Sequence, residues 1–537
     1  MKADCSIKDT LHGYILLPRL ERLLVDSPWF QRLRHVKQND VTSVVYPTVQ
    51  TTRFEHSLGA MHLSRACMTA ALENDEAATT RFCEILRADV ARHRLAEDLK
   101  IEQAELLAID LASLCGLLHD LGHPPLSHLM EQCLEYSDIY PGRAAEPAWH
   151  ELNGADILRG ELGGLVTDPH DRALLGLVAD ILSEVELGPA LDAVGKLVNA
   201  VVDSDRMDFV MRDGRTSGSD FGQYDVERIV RSFQIVVDQP VIHIRPASSA
   251  LSAIEALLQE RYKVYRWVHF HSRVMQANAC VRYALREVAE EAAPGVRLDP
   301  EWFQTEQYFR PSGTPNPALF LDDRFAWGLL EQALLSLDSM NNRDLRQERL
   351  LRVLKSLLLR ERWATPLWKR LDEFQRFGNM VSSALGDLKT RPQLSGLGCP
   401  GNLFADSFLA APRAPALVAL REHLSFPGQD RPWYLVELTH GLKLKSQDQV
   451  IVKGRSGPQA VPLGDLSRTS DGIARAWAQD VHLHVFRLGP TSEAVDAADR
   501  QPLEAACEEV SREMAALYRD DLTVRQALDG YLASRGG

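Results

Sequence analysis

The stretch LLHDLGHPPLSHLME, residues 117–131, constrains this chain more than any other. The adjacent pair His119 and Asp120 closes an apolar helical run, and His123 and His128 follow shortly after. Gly122 is expected just past the helix end, and the Pro124–Pro125 pair forbids continuation. Ser127 is then expected to cap the next short helix. A helix C-terminus with this much ionisable chemistry is rarely there for packing alone. It reads as the middle of a metal site whose ligands come from separate helices.

Two other segments are expected to converge on it. Residues 52–73 read as a helix, with Thr51 or Thr52 as cap and Glu55 as the capping-box partner. His56 shares a face with Ala60, Leu63 and Cys67, so it points inward. Taken alone it would be a hydrogen-bonded core histidine. Residues 101–121 form a second helix, on which Ala108, Ala112, Cys115 and Gly116 offer a small-residue face for close helix contact. Residues 170–215 are expected to be largely helical. There Asp203, Asp205 and Asp208 interrupt an apolar pattern, which is expensive if they are buried without partners.

Elsewhere the pattern is coarser. Ser27–Pro28 opens a helix on which Gln31, Arg34 and Gln38 fall near one face. A helix is expected to begin near Trp149 and His150. Residues 215–246 pass from loop to short helix to two strands. One long aromatic- and arginine-rich helix is expected over 250–290, a proline-rich excursion over 293–317, and further helices over 319–389. The segment 390–415 marks a boundary. The strand-like WYLVEL, QVIVKG and VHLHVFRL, with a helical piece over 464–479, then give a small α+β unit. The fold class expected is mainly α: an enzyme core over 1–390 with its metal site inside 50–215, a small α+β domain over 415–490 and a helical tail over 491–537.

Composition narrows the setting. The chain of 537 residues carries a net charge of −14, which argues against a broad nucleic-acid-coating surface but not against a local basic cleft. Arg32, Arg34, Arg53, Arg206, Arg212 and Arg215 are candidates to line one. The eight cysteines form no C-x-x-C pair and read as free thiols. No apolar run reaches about eighteen residues, and the N-terminus lacks a signal-peptide layout, so a cytoplasmic protein with no membrane partner is the expectation.

Two imidazoles and two carboxylates suit Mn, Fe, Zn, Co or Mg, with mixed nitrogen and oxygen donors favouring a divalent transition metal. His119 and Asp120 would supply one of each, His56 the second imidazole, and a later buried aspartate the second carboxylate. His123, His128 and His150 are left over for proton transfer or for hydrogen bonds to phosphate oxygens.

The segments RFEHSLG, HDLGHPPLSH, WHE and VDSDRMDFVMRD together resemble the HD-domain phosphohydrolase superfamily. With IKDTLHGYI, SPWFQRLRHVKQ, RYKVYRWVHFHSRV and VKGRSGPQAVPLGDLS they look like its deoxynucleoside triphosphate (dNTP) triphosphohydrolase branch, typified by the SAM-and-HD-domain enzyme, here without the SAM domain. The resemblance implies that His56, His119, Asp120 and Asp205 hold the metal, with Asp203 and Asp208 as supporting groups. It implies that His123 and His150 contact phosphates or the attacking water, and that His128 is the general acid with Glu131 as its orienter. It further implies Arg53 and Arg206 on phosphates, Gln38 near base or sugar, and Arg261 and Tyr265 along the nucleotide channel. A second, regulatory nucleotide pocket is partly echoed by Asp26, Gln31 and Arg34, with Cys5 where a lysine would contribute. The branch assembles as homo-oligomers, dimers or tetramers, and a role in nucleotide-pool control or defence against phage follows by analogy.

The departures lie on the nucleoside wall. Phe209 stands where a tyrosine is common, and His269 and Phe270 stand where a tyrosine and a polar residue are. The leading reading is a metal-dependent dNTP triphosphohydrolase. An alternative is a metal-dependent phosphodiesterase on single-stranded DNA or RNA, with Trp267, His269 and Phe270 stacking bases. A third is a nucleotide-sensing or scaffold protein.

Overall fold

The computed structural model describes residues 5–39, 41–135, 149–238, 240–298, 317–361, 364–376, 433–438, 448–454, 457–480 and 483–488, with Glu508, Val510 and Arg512. The boundary segment 390–415, most of the excursion over 293–317, nearly all of the tail after 490, and Cys399 and Cys507 lie outside the described residues. The other six cysteines are free thiols.

The chain opens with an antiparallel hairpin, β1 (Cys5–Asp9) and β2 (Gly13–Leu17), with Ile7 opposite Ile15. Helices α1 (Arg19–Val25) and α2 (Pro28–Arg32) follow. Ser27 caps α2 by accepting from the Phe30 amide at 3.3 Å. Because α2 ends at Arg32, Gln38 does not share its face as the spacing suggests. Gln38 instead donates its backbone N–H to Thr51 across a short bridge at 2.9 Å.

The organising element is α3 (Arg53–Asn74). The Glu55 carboxylate accepts from the Thr52 amide at 3.1 Å and the Thr52 hydroxyl at 2.6 Å, which fixes where the helix begins. After α4 (Glu76–Arg92), helix α5 (Ala104–Leu118) packs along α3. The small-residue face works as expected. A Cβ on Gly116 would sit 2.7 Å from the Ala60 carbonyl oxygen, so only glycine permits this approach. Leu111, Ala112, Leu117 and Leu118 are fully buried, each leucine contributing about 1.5–3 kcal/mol.

Next come α6 (Ser127–Glu135), α7 (Trp149–Ile157), the single turn α8 (Gly163–Leu165), α9 (Pro169–Leu182), α10 (Pro189–Gly195) and α11 (Ser204–Thr216). The helical stretch expected over 170–215 is therefore three helices. Gly188 takes φ +124° before Pro189, and Asp203 caps α11 by accepting from the Arg206 amide at 2.7 Å. The aspartate run is thus split between a cap and a helix.

Helix α12 (Val226–Arg231) leads into the antiparallel pair β3 (Phe233–Asp238) and β4 (Val241–Pro246). The single helix expected over 250–290 is α13 (Leu251–Lys263), a wide turn over Val264–His269, and α14 (Ser272–Ala289). The break falls where His271 leaves the helical region and caps α14, its ring accepting from the Arg273 amide at 3.2 Å. Helices α15 (Asp323–Asp338) and α16 (Leu345–Leu358) pack on α14.

The remaining strands are β5 (Ala364–Pro366), β6 (Tyr434–Leu438), β7 (Gln449–Gly454), β8 (Gly457–Pro462) and β9 (Leu483–Leu488). They form a sheet of order β5-β9-β6 and a β7–β8 hairpin, joined in sequence by α17 (Leu463–Leu466) and α18 (Arg468–Gln479). Neither β5 nor β8 carries an apolar alternation that would announce it. The fold is mainly α. No described helix is long and apolar enough to cross a membrane.

Candidate active site

Three helices carry the expected metal donors to one point. His56 enters from the first turn of α3, His119 and Asp120 from the end of α5, and Asp205 from the first turn of α11. His56 Nε2 lies 3.1 Å from Asp205 Oδ1 and 3.6 Å from Asp120 Oδ2. His119 Nε2 lies 3.5 Å from Asp120 Oδ1 and 3.9 Å from Asp205 Oδ1. Donor atoms of His56, His119 and Asp120 lie within 4.8 Å of one another, close enough for one ion; Asp205 is not within that mutual distance of all three, although it approaches both histidines.

The hydrogen bonds behind these residues set which nitrogen faces inward. His119 Nδ1 donates to the Gly116 carbonyl at 2.9 Å, and His56 Nδ1 donates to Asp208 Oδ2 at 2.8 Å. Both Nε2 atoms are buried and make no hydrogen bond. Each Nδ1 is thus tied back and each Nε2 faces the carboxylates, which is how histidine ligands are held around a metal. Burial disfavours an imidazolium at His56, but Asp205 and Asp208, with Asp120 behind them, outweigh it and raise its pKa to about 10. Burial would raise Asp205, yet its contacts with His56 and His119 bring it down to about 2. Asp120 is held well below the carboxylate range, against its burial, by Arg53, His119 and His123. The site is a sink for positive charge.

A second cluster adjoins it. Glu131 Oε2 accepts from His128 Nδ1 at 2.8 Å, and Glu131 Oε1 accepts from His150 Nδ1 at 2.7 Å and the His150 amide at 3.0 Å. His123 stacks on His150 with ring centroids 3.9 Å apart and sets Nε2 3.2 Å from Asp120 Oδ1. Donor atoms of His123, His128, Glu131 and His150 also lie within 4.8 Å of one another. Here Nδ1 of His128 and of His150 is already committed to Glu131. That leaves Nε2 of each to exchange protons or meet an anion.

The loop between α5 and α6 is braced from below. Arg32 is buried and donates to the Leu121 carbonyl at 3.0 Å, the His123 carbonyl at 2.7 Å and the Leu321 carbonyl at 2.8 Å. Leu126 and Ser127 take φ +56° and +47°, and Asp323 holds them by accepting from the Leu126 amide at 2.8 Å. Ser127 is therefore the first residue of α6 rather than its cap, and its hydroxyl accepts from Arg53 Nε at 2.8 Å. Gly122 is not left-handed. It is glycine because a Cβ would lie 2.1 Å from the His150 carbonyl and 2.3 Å from the Gly154 amide.

Of the arginines read as a cleft, Arg32 and Arg212 are buried structural groups. Arg212 grips Asp208 through Nε and Nη2, both at 2.8 Å, and Asp9 through Nη1 at 2.9 Å. Arg53 Nη1 donates to Asp120 at 2.6 Å, and Arg206 pairs with Asp203. Arg261 differs: it is 2% exposed, yet its Nε and Nη1 find no partner. Its charge is disfavoured by burial and by the nearby Arg206. The Gln38 amide oxygen is likewise buried and unpartnered.

Phe209, Tyr265 and His269 cluster, with Tyr265 5.0 Å from His269 and 6.0 Å from Phe209 between ring centroids. His269 Nε2 donates to Asp213 Oδ2 at 2.8 Å, and Asn39 Nδ2 donates to Asp213 Oδ1 at 2.7 Å. Asp213 escaped the sequence reading because nothing marked the last aspartate of a helix as buried. Of the residues read as a second pocket, Gln31 accepts from Arg34 Nε at 2.7 Å, and Arg34 lies over Phe54 at 3.6 Å. Asp26 is exposed and faces Arg22 at 3.6 Å instead.

No family model matches the chain. Among curated proteins it is 35% identical over 123 residues to the deoxynucleoside triphosphate triphosphohydrolase SAMHD1 of Xenopus laevis, which is 23% of this chain and 16% of that one. It is 26% identical over 278 residues to a SAMHD1 homolog of Dictyostelium discoideum, 50% of this chain and 46% of that protein. Its relatives include the SAMHD1 triphosphohydrolases. An uncharacterised protein of Methanocaldococcus jannaschii is 30% identical over 289 residues, 53% of this chain and 50% of its own. The chain thus spans about half the length, or less, of the curated relatives named here. A solved structure, of a hypothetical protein from Aquifex aeolicus, shares the fold over 95% of this chain and 99% of its own, with a TM-score of 0.52 and 20% identity. The SAMHD1 relatives place the chain near a dNTP triphosphohydrolase-like family.

Proposed function

We propose that the protein is a metal-dependent dNTP triphosphohydrolase that converts a dNTP and water to a deoxynucleoside and triphosphate. One observation carries this reading: the buried, unpartnered Nε2 atoms of His56 and His119 converge on Asp120 and Asp205. Mixed nitrogen and oxygen donors suit Mn, Fe, Zn or Co, with Mg as a further candidate. When bound there, a divalent ion supplies Lewis acidity that polarises a phosphoryl oxygen and eases proton loss from the attacking water.

The chain's own residues do the rest. Arg53 and Asp208 hold the donor set rigid, and Gly59 leaves room for the Asp208 carboxylate, which a Cβ there would meet at 1.9 Å. The unpartnered guanidinium N–H groups of Arg261 suit phosphate oxygens, whose charge would replace the partner they lack. Water attacks the α-phosphorus, and the bond from that phosphorus to the 5′ oxygen breaks. His128, with Nδ1 held by Glu131, gives the leaving oxygen its proton from Nε2. His123 and His150 line the same wall and meet the phosphates. Phe209, Tyr265 and His269 form the side that receives the nucleoside.

A second reading rests on Trp267, which is half exposed with Arg266 4.7 Å above its ring. Such a platform stacks bases of a single strand, and the same centre would then cut a phosphodiester. Incubation of the purified chain with Mn, offering dNTPs and end-labelled single-stranded DNA in parallel, separates the two. Triphosphate with deoxynucleoside supports the first; labelled mononucleotides beside intact dNTPs support the second. We further propose a homo-oligomer, which light scattering on the eluted protein tests.

A further inference from the structure

Among the described residues, His12 is a histidine with a buried side chain that the metal reading leaves without a role. His12 sits in the turn between β1 and β2, far in sequence from every proposed ligand, and its side chain is 5% exposed. Its Nε2 donates to Asp208 Oδ1 at 2.7 Å. Asp208 is the carboxylate that receives His56 Nδ1–H.

We propose that His12 is a positioning residue for the metal-binding face of His56, acting through Asp208. This rests on the metal reading of the site.

To bind an ion through Nε2, His56 must give up the proton there and keep the one on Nδ1. His56 has two competing acceptors: Asp208 at 2.8 Å from Nδ1, and Asp205 at 3.1 Å from Nε2. If the proton sits on Nδ1, Nε2 offers a lone pair to an ion. If it sits on Nε2, that lone pair is gone. The tautomer is set by how firmly the second acceptor is held.

Asp208 is held by three donors besides His56. Arg212 takes both oxygens along its own helix. His12 is the one that comes from another element, and it pins Oδ1 so that Oδ2 is left for His56. The turn that presents His12 is itself fixed. Asp9 Oδ1 accepts from the Leu11 amide at 2.8 Å and the His12 amide at 2.9 Å, and Asp9 Oδ2 accepts from Arg212 Nη1. The result is a closed ring of Asp9, His12, Asp208 and Arg212, with His56 as its outlet. Gly59 completes it, because any side chain there would occupy the space of Asp208 Oδ1.

Groups that orient a metal-bound histidine commonly matter by about 10–100-fold in metal affinity. The test is Mn binding to the full chain by titration calorimetry, with the thermal midpoint of the metal-free protein recorded alongside. H12F removes the donor and keeps the ring volume; H12Q keeps an N–H donor at similar reach. H12F is expected to bind Mn about ten-fold or more weakly, and H12Q close to wild type. If H12F does not fold, H12A carries the same expectation. Wild-type affinity in H12F or H12A overturns the proposal, as does equal weakening in H12F and H12Q, which would trace the loss to packing. H56A distinguishes the two levels: Mn binding unchanged by H56A, or absent from wild type, overturns the metal reading itself and this inference with it.

Discussion

A methyl group placed on Gly122 would lie 2.1 Å from the carbonyl oxygen of His150. The two residues belong to different segments, and their contact seats α7 against the α5–α6 loop. Both obstacles, the His150 carbonyl and the Gly154 amide, are backbone and cannot rotate away. G122A is therefore expected to move His150 off Glu131 and His123. Overpacking of this kind costs about 1–3 kcal/mol, so the protein should still fold. The expected result is a lower thermal midpoint together with a loss of turnover larger than stability accounts for, checked by calorimetry and a dNTP hydrolysis assay.

Glu131 orients two imidazoles at once. Burial would raise its pKa, but His150 and His128 hold it well below the usual range. E131Q keeps the shape and removes the charge that both Nδ1–H groups seek. Turnover is expected to fall by about 10²-fold or more, in the range of lost general acid catalysis. Mn affinity is expected to stay near wild type, because no Glu131 contact reaches His56 or His119. Parallel kinetics and metal titration check the split.

Arg261 offers a test of substrate charge. Its unpartnered N–H groups are expected to be satisfied by phosphate, so R261M should raise KM for a dNTP by roughly ten-fold or more. That corresponds to about 1.5–3 kcal/mol for a charged hydrogen bond. The metal-free variant is expected to be no less stable than wild type, since a charge disfavoured by burial and by Arg206 is removed. Steady-state kinetics with a melting curve reads both effects.

Asp110 supplies a pH signature remote from the site. Burial, with Glu21 nearby, raises its pKa to about 7. Below the unfolded carboxylate value of about 4 both states are protonated and Asp110 costs nothing. As pH rises toward 7 the unfolded chain ionises first, so stability falls, and above 7 the full penalty remains. D110N is expected to match wild type in thermal midpoint near pH 4 and to exceed it at pH 8.

The site was legible where chemistry sits on a periodic background. His56 lies on an apolar face and His119–Asp120 at the end of an apolar helix, so each announced an inward-facing polar group. The small face of α5 was legible for the same reason. Gly122 was not: a glycine past a helix end looks alike whether it turns left or admits a neighbouring backbone, and only α7 decides. The Gly188–Pro189 pair carries its own turn signal, whereas the break at His271 depends on its ring capping α14, which no local pattern marks. Strand β5 draws its order from β9, more than a hundred residues away, and has no local pattern to read. His12 was invisible as a functional candidate because its partner Asp208 is distant in sequence.

We propose that this centre acts on dNTPs through His56, His119, Asp120 and Asp205. The most direct measurement is product analysis of a dNTP incubated with the Mn-loaded wild type and with the H119A/D120A double variant. Deoxynucleoside and intact triphosphate from the wild type, and neither from the variant, is the expected result. Monophosphate with pyrophosphate, or equal turnover by both proteins, contradicts it.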